Sequence, residues 1–300
     1  MRTYRLYQVD SFTKEKFRGN PAGVVPNADG LSEKDMLAIA RELNNSETAF
    51  ILSPDGADHD IRIRYFTPTV EVPVCGHATV AAHYVRAMEK RIASAIVMHK
   101  IKIGILPVEV IKQDDDYFIM MTQGALEFSE PITGTKRSTM LQGLGLSEKD
   151  MAEGCPIQIV STGHSKVMIG IKSRMKLDSL LPDLTLLKQL SAEIGCNGYF
   201  VFTLDSEIPG VLTHGRMFAP AIGIAEDPVT GNANGPLGAY LIKHNLVQHD
   251  GTLFQFKGEQ GHAIGRSGIV EVQVKIENSI PVQVKIGGQA VTVFQTEVTL

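Results

Sequence analysis

Apolar and polar residues alternate in short runs along most of the chain. Tyr4-Arg5-Leu6-Tyr7-Gln8-Val9 and Asp60-Ile61-Arg62-Ile63-Arg64-Tyr65-Phe66 put every second side chain on one face, the pattern of a half-buried β-strand. Residues 269–276 and 281–286 alternate on either side of a polar turn and predict a hairpin near the end of the chain. Thr48-Ala49-Phe50-Ile51-Leu52 and Tyr199-Phe200-Val201-Phe202 read as short buried strands, and Gln113-Asp114-Asp115-Asp116 as a hairpin turn. Helical signals are fewer. Ser32-Glu33-Lys34-Asp35 supplies a serine cap and first-turn acids, so a helix is predicted to run to about Leu43. Residues 78–88 are apolar on almost every face, the mark of a buried helix, and the small, glycine-rich residues 233–242 suit a second one. The class is therefore α+β: two β-rich halves, each curled around one buried helix.

One motif occurs twice. Arg64-Tyr65-Phe66-Thr67-Pro68 leads into Pro73-Val74-Cys75-Gly76-His77-Ala78, and Arg216-Met217-Phe218-Ala219-Pro220 leads into Pro228-Val229-Thr230-Gly231-Asn232-Ala233. The first elements are 152 residues apart and the second 155, about half the chain, as expected for two fused copies of one ancestral fold. Upstream, residues 40–47 answer to 191–198, and Gly19-Asn20-Pro21-Ala22-Gly23-Val24-Val25 stands opposite Gly163-His164-Ser165-Lys166-Val167-Met168-Ile169. Positions shared by both copies are explained by architecture. Polar positions kept in one copy are better candidates for chemistry: Glu47 faces Gly198, Cys75 faces Thr230, and His77 faces Asn232.

Composition narrows the function classes. Three hundred residues make two domains the natural expectation, and 43% hydrophobic residues suffice for two cores. A net charge of −4 argues against a nucleic-acid partner, and no apolar run approaches the ~20 residues of a membrane span. Charged residues among the first twenty leave no signal-peptide core. Cys75, Cys155 and Cys196 are scattered, fitting a reducing cytosol and neither a disulfide framework nor a zinc site. His59, His83, His164, His214, His244, His249 and His262 show no metal-ligand spacing, and no glycine-rich nucleotide loop is present. A cytoplasmic protein without metal or cofactor is expected.

Chemistry is expected at the helix starts. In each copy the Pro-Val-x-Gly-x segment enters a buried helix, leaving amides near Gly76-His77 and Gly231-Asn232 to meet an anion with the help of the helix dipole. A two-fold arrangement of the halves would aim both at one interdomain cleft, where a small carboxylate substrate would undergo proton transfer.

Asn44-Asn45-Ser46-Glu47-Thr48-Ala49-Phe50, Val74-Cys75-Gly76-His77-Ala78-Thr79 and Glu226-Asp227-Pro228-Val229-Thr230-Gly231-Asn232-Ala233 resemble the signature segments of the phenazine-biosynthesis (PhzF-type) isomerases, nearest to their YddE-like branch. Val9-Asp10-Ser11-Phe12 and residues 17–24 match as well, so the likeness runs nearly end to end. It implies a diaminopimelate-epimerase-like fold with two pseudo-symmetric halves, each a mixed sheet or barrel around a central helix. The expected domains are 1–117 plus 289–300, carrying the catalytic glutamate, and 118–288. The resemblance assigns Glu47 as general acid/base, His77 and Asp227 as its catalytic partners, and Asn20, Gly76, Thr230, Gly231 and Asn232 as substrate-binding positions. Asn232 stands where relatives carry serine. A glutamate in a closed apolar cleft would have its pKa raised toward neutrality, as a proton shuttle requires. A homodimer acting on a small carboxylic acid is expected. The alternatives are an amino-acid epimerase or racemase, which needs a second thiol where Thr230 stands, and a non-catalytic binder of small acids.

Overall fold

In the computed structural model, which describes residues 1–300, the alternating segment at the start of the chain forms strand β1 (Thr3–Ser11). There follow β2 (Asn20–Val25), α1 (Glu33–Leu43), β3 (Thr48–Leu52), β4 (Ile61–Phe66), β5 (Glu71–Val72), α2 (Gly76–Lys90), β6 (Ala95–Ile101), β7 (Gly104–Gln113) and β8 (Asp116–Thr122). The chain continues through β9 (Glu127–Pro131), α3 (Gly134–Leu144), β10 (Gln158–Ser161), β11 (Lys166–Gly170), α4 (Arg174–Asp178) and α5 (Leu184–Ile194). It ends with β12 (Tyr199–Thr203), β13 (Thr213–Ala219), β14 (Ile224–Asp227), α6 (Gly231–Lys243), β15 (Leu253–Gln260), β16 (Gly268–Glu277) and β17 (Ile280–Thr299). Two units separate by packing: Met1–Thr122 with Gly287–Leu300, and Gln123–Ile286. The end of β17 lies in the first unit because Ala290 to Thr299 pair antiparallel with β1.

The two units repeat one topology. β2 runs parallel to β3, β3 antiparallel to β4, β4 antiparallel to β5 and parallel to β6, and β6 antiparallel to β7. The same series of directions links β11, β12, β13, β14, β15 and β16. The fold is thus α+β with two pseudo-symmetric halves, each a mixed sheet wrapped around its central helix. Nearly all of α2 from Gly76 to Val85 is buried, as is most of α6. Small residues let strands approach α6: a Cβ on Gly238 would lie 2.7 Å from Val274 and 2.9 Å from Val272.

Helices α1 and α5 sit on the outer face of their sheets, and local signals fix their ends. The Ser32 hydroxyl accepts from Asp35 N while the Asp35 carboxylate accepts from Ser32 N, a complete capping box. Asn44 then closes α1 in the left-handed region at φ 51°. Met36, Ile39 and Ala40 pack on Phe50 and Phe66, and each large apolar side chain so buried contributes about 1.5–3 kcal/mol. In the second unit Asp183 caps α5, whose Leu187 and Leu190 join Tyr199, Val201 and Phe218.

The repeated Arg-x-Phe motif has a structural role. Arg64 makes a bidentate pair with Glu71 and lies over the Phe66 ring at 5.0 Å. Arg216 pairs likewise with Glu226 and lies over Phe218 at 5.0 Å. Each pair clamps the strand that leads into its central helix.

Within the first unit, His83 on α2 and His99 on β6 are both buried, with Nε2 and Nδ1 3.3 Å apart. Burial pushes both pKa values down, that of His99 to about 4, and the neighbouring His99 and Arg86 further disfavour a charged His83. The unfolded side chains titrate near 6.5. Above that pH neither state is protonated and the pair is neutral in effect. As pH falls from 6.5 towards 4, the unfolded chain takes protons that the native pair refuses, so stability is lost. The loss expected from His99 alone is on the order of 3 kcal/mol. Urea unfolding at stepped pH checks this; a midpoint that stays level from pH 7 to 4 would contradict it.

Candidate active site

Glu47 is the last residue before β3, and its backbone carbonyl accepts from Gly23 N at 3.3 Å. Its carboxylate Oε2 lies 3.4 Å from Nε2 of His77, and its side chain is 18% exposed. The same His77 nitrogen is 3.2 Å from the Ser46 hydroxyl. His77 is thus the polar partner that the structure places at the Glu47 carboxylate. His77 is the second residue of α2, and its carbonyl accepts a 2.8 Å hydrogen bond from Ser11 Oγ, which ties the helix start to β1. Asn20, buried at the head of β2, is paired opposite Ser11. Cys75, at the cap position of α2, provides no side-chain cap, so the amides that open the helix at Gly76 and His77 are not capped from within.

Cys75 Sγ, a His77 ring nitrogen and a Glu47 oxygen all lie within 4.8 Å of one another, a set of ligand types that could hold a metal ion. The geometry favours proton handling instead. The sulfur is 3.5 Å from Nδ1 and 3.9 Å from Nε2, so it sits beside the imidazole ring and not in line with either lone pair. Nε2 meanwhile addresses Glu47, orienting the carboxylate.

In the second unit the corresponding positions make a different network. Asp227 ends β14, and its carboxylate Oδ2 accepts from the Thr230 hydroxyl. That hydroxyl therefore does not cap α6, and the amides at Gly231 and Asn232 are again left without a side-chain cap. Gln260 binds the segment from several sides. Its Nε2 donates to Asp227 O at 2.8 Å and to Thr230 Oγ1 at 3.0 Å, while its Oε1 accepts from Thr230 N and Asn234 Nδ2. Gln123 Nε2 donates to Asn232 Oδ1 at 3.0 Å and to Gly231 O at 3.3 Å, and Thr162 Oγ1 holds the Gln123 carbonyl.

Of the residues named from sequence, Glu47, Gly76, His77 and Asn20 gather around the start of α2, and Asp227, Thr230, Gly231 and Asn232 around the start of α6. Ser11, Gln123 and Gln260 are added by the structure: Gln123 and Gln260 are lone polar residues at strand ends that carry no motif, and Ser11 lies in the Val9-Asp10-Ser11-Phe12 segment without being marked there as a site residue. Strand register adds one asymmetric position: Tyr65 pairs with Val72 in the first unit, and Met217 with Asp227 in the second. Asp227 thus replaces an apolar residue, as a chemical role would require.

The profile of the family described as Phenazine biosynthesis-like protein matches residues 9–296. The chain belongs to this family. An uncharacterized isomerase of Clostridium acetobutylicum is 59% identical to this family member over 300 residues, covering 100% of this chain and 99% of that one. The uncharacterized isomerase YddE of Escherichia coli is 52% identical over 294 residues, with 98% and 97% covered. The crystal structure of a PhzF-family phenazine biosynthesis protein from Bacillus anthracis superposes with a TM-score of 0.89 at 35% identity, over the whole of both chains. The phenazine biosynthesis-like chain is accordingly an enzyme of an isomerase and epimerase family, with the epimerase-like fold that its topology displays. None of its helices is long and apolar enough to cross a membrane.

Proposed function

We propose that the protein is an isomerase that moves a proton between two carbons of a small carboxylic acid, with Glu47 as the only acid/base that shuttles it. The observation that carries this reading is the Glu47 carboxylate held 3.4 Å from His77 Nε2 beside the uncapped start of the buried helix α2. The ionised carboxylate takes a proton from one carbon, and the pair of electrons left behind delocalises towards the substrate's carboxyl group. Helix-start amides stabilise the added negative charge. Glu47 then returns the proton to the second carbon, so the reaction is redox-neutral and restores the enzyme. His77 orients the carboxylate, Asn20 supports the loop beside Ser11, and in the second unit Asp227 and Asn232 are polar positions suited to binding a small acid. This chemistry calls for neither metal nor cofactor. The same reading places a homodimer in the cytosol. The three free, buried cysteines support a reducing compartment, and sedimentation as a monomer would remove the dimer from the account.

The competing reading, a two-thiol epimerase, draws on the closeness of Cys75 to His77. It lacks a second acid, because Thr230 stands at the partner position and donates its hydroxyl to Asp227. A panel of small cyclic and amino-carboxylic acids incubated in heavy water separates the possibilities. At least one acid is expected to gain deuterium at carbon; a pure binding protein would label none. Cys75→Ala is expected to retain turnover within roughly tenfold, since it removes no proton carrier. Complete loss of labelling in a stably folded Cys75→Ala protein would favour the epimerase.

A further inference from the structure

Strand register explains why Gly198 stands where the first unit has Glu47. Gly23 pairs with Thr48 and its amide donates to Glu47 O; Val167 pairs with Tyr199 and its amide donates to Gly198 O at 2.8 Å. Lys166, one residue before Val167, is therefore the counterpart of Ala22, and its side chain crosses Gly198. A Cβ on Gly198 would lie 2.4 Å from Lys166 Cδ and 2.9 Å from Cε. The glycine clears a path for the lysine stem. At equivalent places, one unit carries a carboxylate and the other an ammonium.

The Lys166 residue is only 5% exposed. Its Nζ donates to His164 Nδ1 at 3.2 Å and to the Ser165 carbonyl at 3.1 Å, two neutral acceptors for three N–H groups. Burial pulls its pKa down, and the charges of Cys196 and then Asp227 work in the opposite direction. A buried ammonium held mainly by neutral acceptors is costly, and an apolar side chain at this strand position would pack at no such cost. The arrangement is one that an incoming anion would complete.

We propose that Lys166 is the cation that pairs with the carboxylate of the acid substrate, next to Asp227 in the second unit. The proposal rests on the isomerase reading for the identity of that acid. It names the group that selects acids over their neutral amides.

Benzoate serves as the probe, titrated into wild-type protein labelled with 15N at the lysine side chains. The Lys166 Nζ resonance is expected to move with saturating benzoate. Lys166→Met, which keeps the length of the stem, is expected to weaken benzoate binding by about 10- to 100-fold. Gly198→Ala, which keeps the ammonium but displaces the stem that carries it, should weaken it in the same direction. With the acid found by heavy-water labelling, Lys166→Met should raise KM by a similar factor, and should abolish the preference for the acid over its primary amide. Benzoate that binds Lys166→Met as tightly as wild type, or that leaves the wild-type Nζ resonance unmoved, overturns the proposal. Labelling of acids with an unchanged KM in Lys166→Met defeats the anchor and spares the isomerase reading. A benzoate response at Lys166 with no acid labelled defeats the isomerase reading and spares the anchor.

Discussion

Glu47→Gln is expected to lower turnover by about 10²–10⁴-fold while leaving the urea unfolding midpoint within error of wild type. Glutamine keeps the size and polarity of the side chain and can still accept from His77 Nε2, so the loop between α1 and β3 has no reason to rearrange. What it loses is the capacity to take a proton from carbon and give it back. The position is partly exposed and no ion pair other than the one with His77 holds it, so little native stability rests on its charge. Steady-state kinetics together with denaturant unfolding check both halves of the expectation. A folded, fully active Glu47→Gln enzyme would take the residue out of the mechanism.

The second large effect concerns stability. Arg216 is 8% and Glu226 11% exposed at the side chain. Besides its two bonds to Glu226, Arg216 Nη1 donates to the carbonyls of Leu177, Asp178 and Leu180. Arg216→Met would leave a buried carboxylate and three carbonyls without their donor, at an expected cost of about 3–5 kcal/mol. The counterpart Arg64 is 31% exposed, and one of its partners, Glu33, is 70% exposed. Water can replace what is lost there, and Arg64→Met is expected to cost about 1 kcal/mol or less. Urea titration of the two variants measures the difference. Equal losses would mean that burial does not govern these pairs.

These two arginines also illustrate what the sequence made legible. The repeat was visible because Arg-x-Phe-x-Pro combines an ion pair, a ring contact and a chain reversal, and few other residues serve all three. The alternating strands, the capped helix α1 and the two buried helices could be read for similar reasons, since periodicity and caps are local signals. Helix α3 could not be read. Its Gly134-Thr135-Lys136-Arg137 opening lacks a side-chain cap, and it is held by packing against α5. Among the candidate site residues, Glu47 and His77 stood out because one copy of the repeat lacks them, and Asp227 because residues 226–233 resemble a signature segment of the family. Gln260 and Lys166 stayed hidden, because only three-dimensional packing shows that Gln260 binds the Asp227–Thr230 segment and that the lysine lies across Gly198. His77, named beside Glu47 by the resemblance, lies with Nε2 3.4 Å from its carboxylate, while the Ser46 contact to the same nitrogen shows only in the folded chain.

The most direct test of the central claim compares deuterium uptake from heavy water into one labelled acid by Glu47→Gln and by Cys75→Ala under identical conditions. A glutamate shuttle predicts that Cys75→Ala labels the acid at least about tenfold faster than Glu47→Gln. The reverse order, with Glu47→Gln labelling at the wild-type rate and Cys75→Ala silent, would contradict it.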